Sequence, residues 1–571
     1  MKICLVNTNV NPGIEDFLRA EIQMGLIYLA SSLEQKGHIV EIVDLNLLIM
    51  KEGWQIDGRL FKKMANRIAG TRSDLVGINT RSDTFPASIN IARATKQVLP
   101  GIPVVMGGFK VTTLARETLE TFPFIDFILR GEAEYSLCEL AYSLENDIPL
   151  ENVSGLTYRK NGRVIENPDA ETFPDLDKIP MPAYQHYEQQ LTGWTKFQQR
   201  QIFINTGRGC PLYCEFCVCP EIYKGKYRLR SPDSIIAEIR FLNEKYGVYR
   251  FSMGLDHFLI KRDHVENLCY KILDAGLDIN WNCCALPQYI DEELLVLMKK
   301  SGLSSLSIGI ESGSSKIQKK IRKNMPLGKI SSLLQLCDKY DLFVMAFFIL
   351  GFPGETIKDI NKTLKLVIEY STYFKVFTLI DIFAPMSGSG LYRKVREKLA
   401  WTGLFSNVAE GITSHIPANL RLIKKYPTLF SEFYNVPIDN IKPATLYELA
   451  QFYHKAVLLF PLTMKIAFDE LKIEPVEFFL LIRRWAKNRG IFKTKLFIPS
   501  LPDILKIMPE FLKEKYKKDK VSPVFMKLVL KREIATSFNK TRYADQFIKT
   551  LGEDLGPVIM KELFSHKIAG M

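Results

Sequence analysis

The sequence predicts an α/β protein in three parts: an N-terminal doubly wound domain, a partial (β/α)6 barrel and a mostly α-helical C-terminal domain. Three observations carry this. Short β-branched runs alternate with helix-like segments from residue 1 to about 150, and again from about 200 to 395, as parallel strands covered by helices do. A hairpin-like stretch and the proline-rich "FPDLDKIPMPAY" separate the two series and read as a linker. Beyond 395 the strand signals fade, and segments such as "ATLYELAQFYHKAVLLF" (444–460) and "PVEFFLLIRRWAKNRG" (475–490) read as helices. The expected boundaries are therefore 1–150, a linker over 151–199, 200–395 and 396–571.

In chain order, "KICLVN" (2–7), "IVEIVD" (39–44), "DLVGIN" (74–79), "IPVVMGG" (102–108) and "DFILRG" (126–131) are the first strand series. The helices between them include 24–37 and 85–100. In such open, Rossmann-like sheets a ligand sits beyond the carboxyl ends of the strands. Those ends carry Asn7 to Asn11, Thr80 to Thr84, Gly107–Gly108 and Gly131–Glu132. The second series runs from "QIFINTGRGC" through strands at 250–254, 279–283, 305–310, 343–350 and 376–384. Roughly six βα units suggest a TIM-like partial barrel, with chemistry at the carboxyl ends of its strands.

Composition narrows the function classes. The 571 residues are 47% hydrophobic, ample for packed cores. The start does not read as a secretory signal, and the longest apolar runs, "LFVMAFFIL" (342–350) and "VEFFLLI" (476–482), fall far short of the roughly 20 residues that span a bilayer. A cytoplasmic protein with reduced thiols is expected. The net charge is +13, and from residue 401 onward 27 Lys+Arg face 17 Asp+Glu. Such a field suits an acidic substrate and leaves peripheral membrane contact open, although a solvated basic face explains it as well. The run "KEKYKKDK" (513–520) is read as solvated.

All ten cysteines precede residue 338, and four lie in "GRGCPLYCEFCVCP" (207–220). Structural zinc usually takes two ligand pairs, and no second C-x-x-C or H-x-x-x-H lies near. Close loop spacings suit the thiolates of a [4Fe–4S] cluster. Three ligands, Cys210, Cys214 and Cys217, leave one iron open to substrate. Zinc and a disulfide are the competing readings. Cys219, Cys283 and Cys284 have no motif and are expected to be buried thiols.

"GCPLYCEFC" resembles the C-x-x-x-C-x-x-C loop of the radical S-adenosylmethionine (radical SAM) enzymes. "LSIGIESGS" (306–314) resembles that superfamily's fourth-strand segment, and "FFILGFPGET" (347–356) its adenine-contacting G-x-I-x-G-x-x-E. "APMSGSGLY" (384–392) resembles the closing P-x-P-G-T-x-L-Y but departs from it at Met386–Ser389. The N-terminal segments "MGLIYLASSLEQKGHIVEIVD", "RSDTFPASINIARATK", "VVMGGFKVTTLARETL" and "DFILRGEAEYSLCELA" resemble the cobalamin-binding domain fused to such barrels. The D-x-H-x-x-G motif is missing, so the resemblance implies cobalamin without a histidine on cobalt. His38, at a strand start, is read as structural.

The resemblance implies three cofactors: a [4Fe–4S] cluster on Cys210, Cys214 and Cys217, SAM, and cobalamin. It implies Phe216 against adenine, Glu311 and Ser312 at the SAM ribose or amino acid, and Gly351, Gly354 and Glu355 at the adenine edge. Asp256 stands where the family often contacts the SAM amino group, without the usual G-G-E. His257 beside it is expected either to line the substrate pocket or to be buried. Thr80, Arg81, Gly107, Gly108, Gly131 and Glu132 are the implied cobalamin contacts. The implied activity is methyl transfer from SAM, via methylcobalamin, to an unactivated carbon of a small molecule or peptide. A cyclase, ring-rearranging or oxidising enzyme, or a polar methyl transfer, is the alternative. An electron donor such as flavodoxin or ferredoxin follows as a partner. The helical tail does not suggest a TRAM-like barrel, so no nucleic-acid partner is expected.

Overall fold

The computed structural model describes residues 1–9, 22–192, 201–411, 413–492 and 494–516. Residues 10 and 11 of the first strand-end loop, and 517–520 of the basic run, lie outside these. The described residues form two compact units: those within Met1–Lys196, Ile202–Val248 and Ala384–Tyr434, and those within Tyr249–Phe383 and from Asn435 to Tyr516, with Gln201.

In the first unit the strands are β1 (Lys2–Asn7), β2 (Ile39–Asp44), β3 (Leu75–Asn79), β4 (Val104–Gly107), β5 (Phe127–Leu129), β6 (Leu156–Lys160) and β7 (Arg163–Glu166). They form one sheet in the order β2-β1-β3-β4-β5-β6-β7. The first five are parallel, and the β6–β7 hairpin joins antiparallel. The order reverses between β1 and β3, which makes the loops after those strands a switch point for ligand binding. Near-continuous apolar runs form these strands because helices bury both faces. Asp44 ends β2 and caps the next helix, accepting from Leu47 N, Asn7 Nδ2 (2.9 Å) and Tyr187 Oη (2.7 Å). His38 is buried at the start of β2 beside the N-terminal amine, with its pKa lowered chiefly by burial.

The segment 396–571, expected as one helical domain, divides at Tyr434. Phe405, Phe430 and Phe433 join Val6, Ile78, Met106 and Phe85 in one core, so their apolar partners lie in the first unit. A buried polar clamp reinforces that packing. Lys110 Nζ donates to Glu432 Oε2 (2.5 Å) and Ser387 Oγ (2.8 Å), while Ser387 N donates to Glu432 Oε1 (3.0 Å). Gly388, at φ 87°, leaves room for the Thr113 side chain where a Cβ would stand. The departure of Met386–Ser389 from the family form thus has a physical cause: Ser387 and Gly388 dock on the helix after β4.

The strands β8 (Ile202–Asn205), β9 (Gly207–Arg208) and β10 (Arg228–Leu229) also belong to the first unit. In the second unit β11 (Arg250–Gly254), β12 (Asn280–Cys284), β13 (Leu303–Glu311), β14 (Phe343–Leu350) and β15 (Val376–Ile382) lie side by side, parallel and in sequence order. The helix Ile357–Ser371 starts with a Thr356–Asp359 capping box. The helix Pro443–Leu459 packs along β15. No helix among the described residues is long and apolar enough to cross a membrane.

Removing one partner of a buried ion pair leaves the other charge unpaired, at a cost of about 3–5 kcal/mol. Lys110→Met is therefore expected to lower unfolding stability by that order in urea titration, and Lys110→Met with Glu432→Leu to recover most of it.

Candidate active site

The cysteine loop lies in the first unit, between the two-residue strands β9 and β10, which pair antiparallel. Such short strands need outside support, and arginines supply it. Arg208, two residues before Cys210, donates to Glu134 (2.5 Å) and pairs with Glu132 (3.6 Å). Arg228 donates to Glu132 (2.5 Å) and to the Phe173 carbonyl (2.9 Å). All four side chains are at most 10% exposed. Burial alone would raise the Glu134 pKa, but Arg208 holds it below the ordinary value. Glu132 and Glu134 follow β5, so this brace fastens the cysteine loop to the carboxyl end of the first sheet.

Two glycines shape the loop. Gly209 (φ 89°) and Gly225 (φ 70°) both adopt the left-handed region, and a Cβ would overlap the Lys226 carbonyl and the Tyr213 phenol respectively. None of the ten cysteines is in a disulfide; Cys214 is buried, while Cys210, Cys217 and Cys219 are half-buried. Cys217 N donates to the Cys214 carbonyl (3.1 Å), and Cys219 N donates to Cys217 Sγ (3.4 Å). Cys219 therefore supports the third thiol through its backbone. Among the described residues no three His, Cys, Asp or Glu side chains are grouped as ligands of one ion. A [4Fe–4S] cluster does not ask for that, because each thiolate takes a different iron, and three closely spaced thiols outside any disulfide, in a glycine-shaped loop, fit it. Glu215 bonds Lys394 (2.8 Å) and its carbonyl accepts from Leu391 N (2.7 Å), which seats the loop on the helix Gly390–Val395; Phe216 beside it is half-buried.

At the strand ends of the same unit, Thr80 donates to the Gly107 carbonyl (2.8 Å), and a Cβ on Gly108 (φ 112°) would overlap the Thr80 carbonyl. Gly131 (φ 76°) has open space where a Cβ would be. Asn7 and Thr8 turn inward, to Asp44 and to Asn79 and Ser88. Arg81 is exposed and pairs with Asp83 (3.4 Å). The exposed Phe109 ring lies edge-on to Tyr223 (6.3 Å), just beyond the cysteine loop. The space at Gly108 is taken by the Thr80 backbone, whereas the open backbone at Gly131, on the same side as an exposed aromatic ring, fits a large planar cofactor. The Glu132 carboxylate is committed to the brace.

The second unit places its residues at the carboxyl ends of β11–β15. Glu311 sits at a register shift of β13 in the left-handed region (φ 65°), a strained conformation of the kind that clusters at functional sites. It is buried, pairs with Lys323 (3.3 Å), and burial raises its pKa despite that cation. The Ser312 hydroxyl meets Thr363 Oγ1 (3.2 Å) and holds the turn. Glu355 is fully buried; its Oε2 accepts from Gly351 N (2.5 Å) and Phe352 N (3.2 Å), while Oε1 has no protein partner. Burial pushes its pKa up to about 8. It thus shapes the Gly351–Gly354 turn from within. Asp256 is exposed, and His257 is buried edge-on to Tyr289 (5.3 Å), with burial holding its pKa down at about 4.

Period-two alternation separates Cys283 from Cys284. Cys283 is buried as expected, toward Cys269 of the covering helix. Cys284 is exposed, contrary to expectation, on the opposite face near Asp256. Sequence reasoning missed Arg208, Arg228, Lys110 and Lys323; only the arginine in "GRGC", beside the first cysteine, offered a signal.

A thiol loop braced to an open α/β sheet, with a separate parallel strand series, defines a B12-binding domain joined to a radical SAM domain. The family model described as the Radical SAM superfamily matches residues 204–367, and the B12 binding domain matches 18–141. The chain is a radical SAM enzyme with an N-terminal B12-binding domain. It is similar to an uncharacterised methyltransferase of Pyrococcus horikoshii, 26% identical over 454 residues, covering 78% of this chain and 89% of that one. It is also similar to an anaerobic magnesium-protoporphyrin IX monomethyl ester cyclase of Cereibacter sphaeroides, 23% identical over 411 residues, covering 70% and 64%. In fold it matches the radical SAM methyltransferase TsrM of Kitasatospora setae, solved with cobalamin and a [4Fe-4S] cluster, at TM-score 0.61 and 18% identity over 95% of this chain and 99% of that one.

Protonated Glu355 contributes stability in full below its unfolded value of 4.5, and that contribution is lost as pH rises through about 8. Glu355→Gln, which mimics the protonated acid, is expected to flatten the decline of thermal stability across that window; an unchanged slope would count against the buried, protonated carboxyl.

Proposed function

We propose that this chain is a cobalamin-dependent radical SAM methyltransferase, working in the cytoplasm on a small molecule or peptide. The observation that carries the reading is the glycine-shaped loop that presents Cys210, Cys214 and Cys217, outside any disulfide, and is braced by Glu132 and Glu134 to the B12-type sheet. Cys210, Cys214 and Cys217 would hold three irons of the cluster and leave the fourth open for SAM. Bound together, the three cofactors supply reductive cleavage of SAM and transfer of its methyl group through cobalamin to an unactivated carbon.

The chain's own residues would position and shield. Phe216 lies against adenine, and Gly351 and Gly354 offer backbone to its edge in a turn that Glu355 holds. Glu311, with Lys323, meets the ribose or amino acid end, Ser312 fixes the turn beside it, and Asp256 takes the amino group. Thr80, Gly107, Gly108 and Gly131 would present backbone to cobalamin, with Arg81 in the loop beside them. Glu132 acts through the brace. A reactive radical needs a pocket closed to water, and a flavodoxin or ferredoxin would deliver the electron.

A cyclase, ring-rearranging or oxidising enzyme is the second reading; the similar protein of Cereibacter sphaeroides is named as a cyclase. A polar methyl transfer would bypass the deoxyadenosyl radical. The test is anaerobic reconstitution with iron, sulfide, cobalamin, SAM and reductant. Formation of both 5′-deoxyadenosine and methylcobalamin is expected. Neither product would sink the enzyme reading; methylcobalamin without 5′-deoxyadenosine would favour polar transfer. Cys214→Ala is expected to abolish the cluster's brown absorbance, and unchanged iron content would refute the ligand assignment.

A further inference from the structure

The face of the second sheet turned away from its covering helices is chemically divided. Registers place Ser252, Asn282, Ser305 and Phe343 in one row across the strands, Cys284, Ser307, Met345 and Phe377 in the next, then Gly309, Phe347 and Leu379. The opposite face meets helices: Phe348 lies beside Tyr370, and Cys283 faces Cys269. The divided face is thus small and polar on β11–β13, and aromatic or aliphatic on β14 and β15. Glu311 and Lys323 stand over Gly309, where a Cβ would overlap the Glu311 carboxylate. The cofactor-type residues therefore border the polar half.

The apolar half faces the helix Pro443–Leu459. Met345 and Phe377 form a small cluster, against which Phe343, Phe347, Leu379 and Leu458 pack while staying only half-buried. Leu458 belongs to a stripe with Tyr447, Gln451 and His454, at spacings of four, three and four along that helix. All four are half-buried, whereas the helix's other side carries the fully packed Phe452 and Tyr453. His454 is enclosed enough that burial holds its pKa down at about 4, so its imidazole is neutral. Its Nδ1 is buried with no protein partner. A buried nitrogen left without a hydrogen bond costs roughly 1–3 kcal/mol unless something meets it, and here it stands on the stripe that faces the half-open apolar wall.

We propose that this wall and this helical stripe form the substrate subsite, that it takes an uncharged, largely apolar molecule, and that His454 hydrogen-bonds that molecule's polar group. The subsite rests on the methyltransferase reading for its chemistry, not for its binding. Phe347, Leu379 and Leu458 hold the apolar body by excluding water. His454 is a specificity residue: a group that satisfies Nδ1 is favoured, and an analogue lacking it leaves the nitrogen unpaired. β14 and β15 contribute no basic side chain to this wall, so an uncharged body suits it better than the acidic substrate that net charge suggested.

Binding can be tested without turnover, which separates failure of this subsite from failure of the methyltransferase reading. The full chain would be titrated with Nile red, an uncharged apolar fluorophore, and in parallel with the anionic probe 8-anilinonaphthalene-1-sulfonate. One saturable Nile red site is expected, weakened tenfold or more by Phe347→Asp and by Leu458→Gln. In the unaltered protein, bound Nile red should protect His454 from diethylpyrocarbonate, read by peptide mass spectrometry, with the other six histidines as controls. Tighter binding of the anionic probe at the same site, or equal modification of His454 with and without Nile red, would overturn the assignment. Because protection is read on the unaltered chain, a variant that fails to fold does not decide the outcome.

Discussion

The buried set of charges formed by Arg208, Arg228, Glu132 and Glu134 fixes the cysteine loop on which the proposed chemistry depends. Two-residue strands have almost no intrinsic stability, yet β9 and β10 must present three thiols in one arrangement. Guanidinium groups pair with carboxylates through several directional hydrogen bonds, and in a low-dielectric setting these bonds strengthen. The acids come from the loop and helix start after β5, so the geometry of the first sheet is handed to the cysteine loop. Around this brace, Gly209 and Gly225 accept backbone and side-chain contacts that any Cβ would block. The 2.5 Å contacts from Arg208 to Glu134 and from Arg228 to Glu132 tie the cysteine loop to the first sheet.

The second unit obeys a different constraint. Its parallel strands expose alternate side chains on two faces, and one face must pack against helices. The other face, whose apolar half meets the helix Pro443–Leu459, changes in composition from serine, asparagine and glycine on β11–β13 to phenylalanine, methionine and leucine on β14 and β15. Strain at Glu311 and the buried carboxyl of Glu355 both cost stability. Both occur at strand ends, where the packing of β13 and β14 is able to hold them in place.

Much of this was legible in the sequence. Strand periodicity gave β11 and β14 residue for residue, and the C-x-x-x-C-x-x-C spacing singled out three of four neighbouring cysteines, because local patterns carry local structure. The family models and the shared fold bear out the radical SAM and B12-binding parts. What escaped notice depends on distant partners. Arg208 and Glu134 are 74 residues apart, and Arg228 and Glu132 are 96 apart, so no local pattern joins them, and Glu132 reads as a cobalamin contact instead. The division of the helical tail at Tyr434 was hidden because an amphipathic helix does not reveal which core will receive it. Cys284 was expected to be buried with Cys283, although strand alternation puts neighbours on opposite faces.

The brace is tested most directly by hydrogen exchange followed by mass spectrometry on the full chain, comparing it with Glu132→Gln/Glu134→Gln. If the acids hold the loop, peptides covering 207–230 should lose protection together with those after β5, while the β13–β14 peptides stay unchanged. Loss of protection confined to the substituted segment, with 207–230 as slow as before, would contradict it.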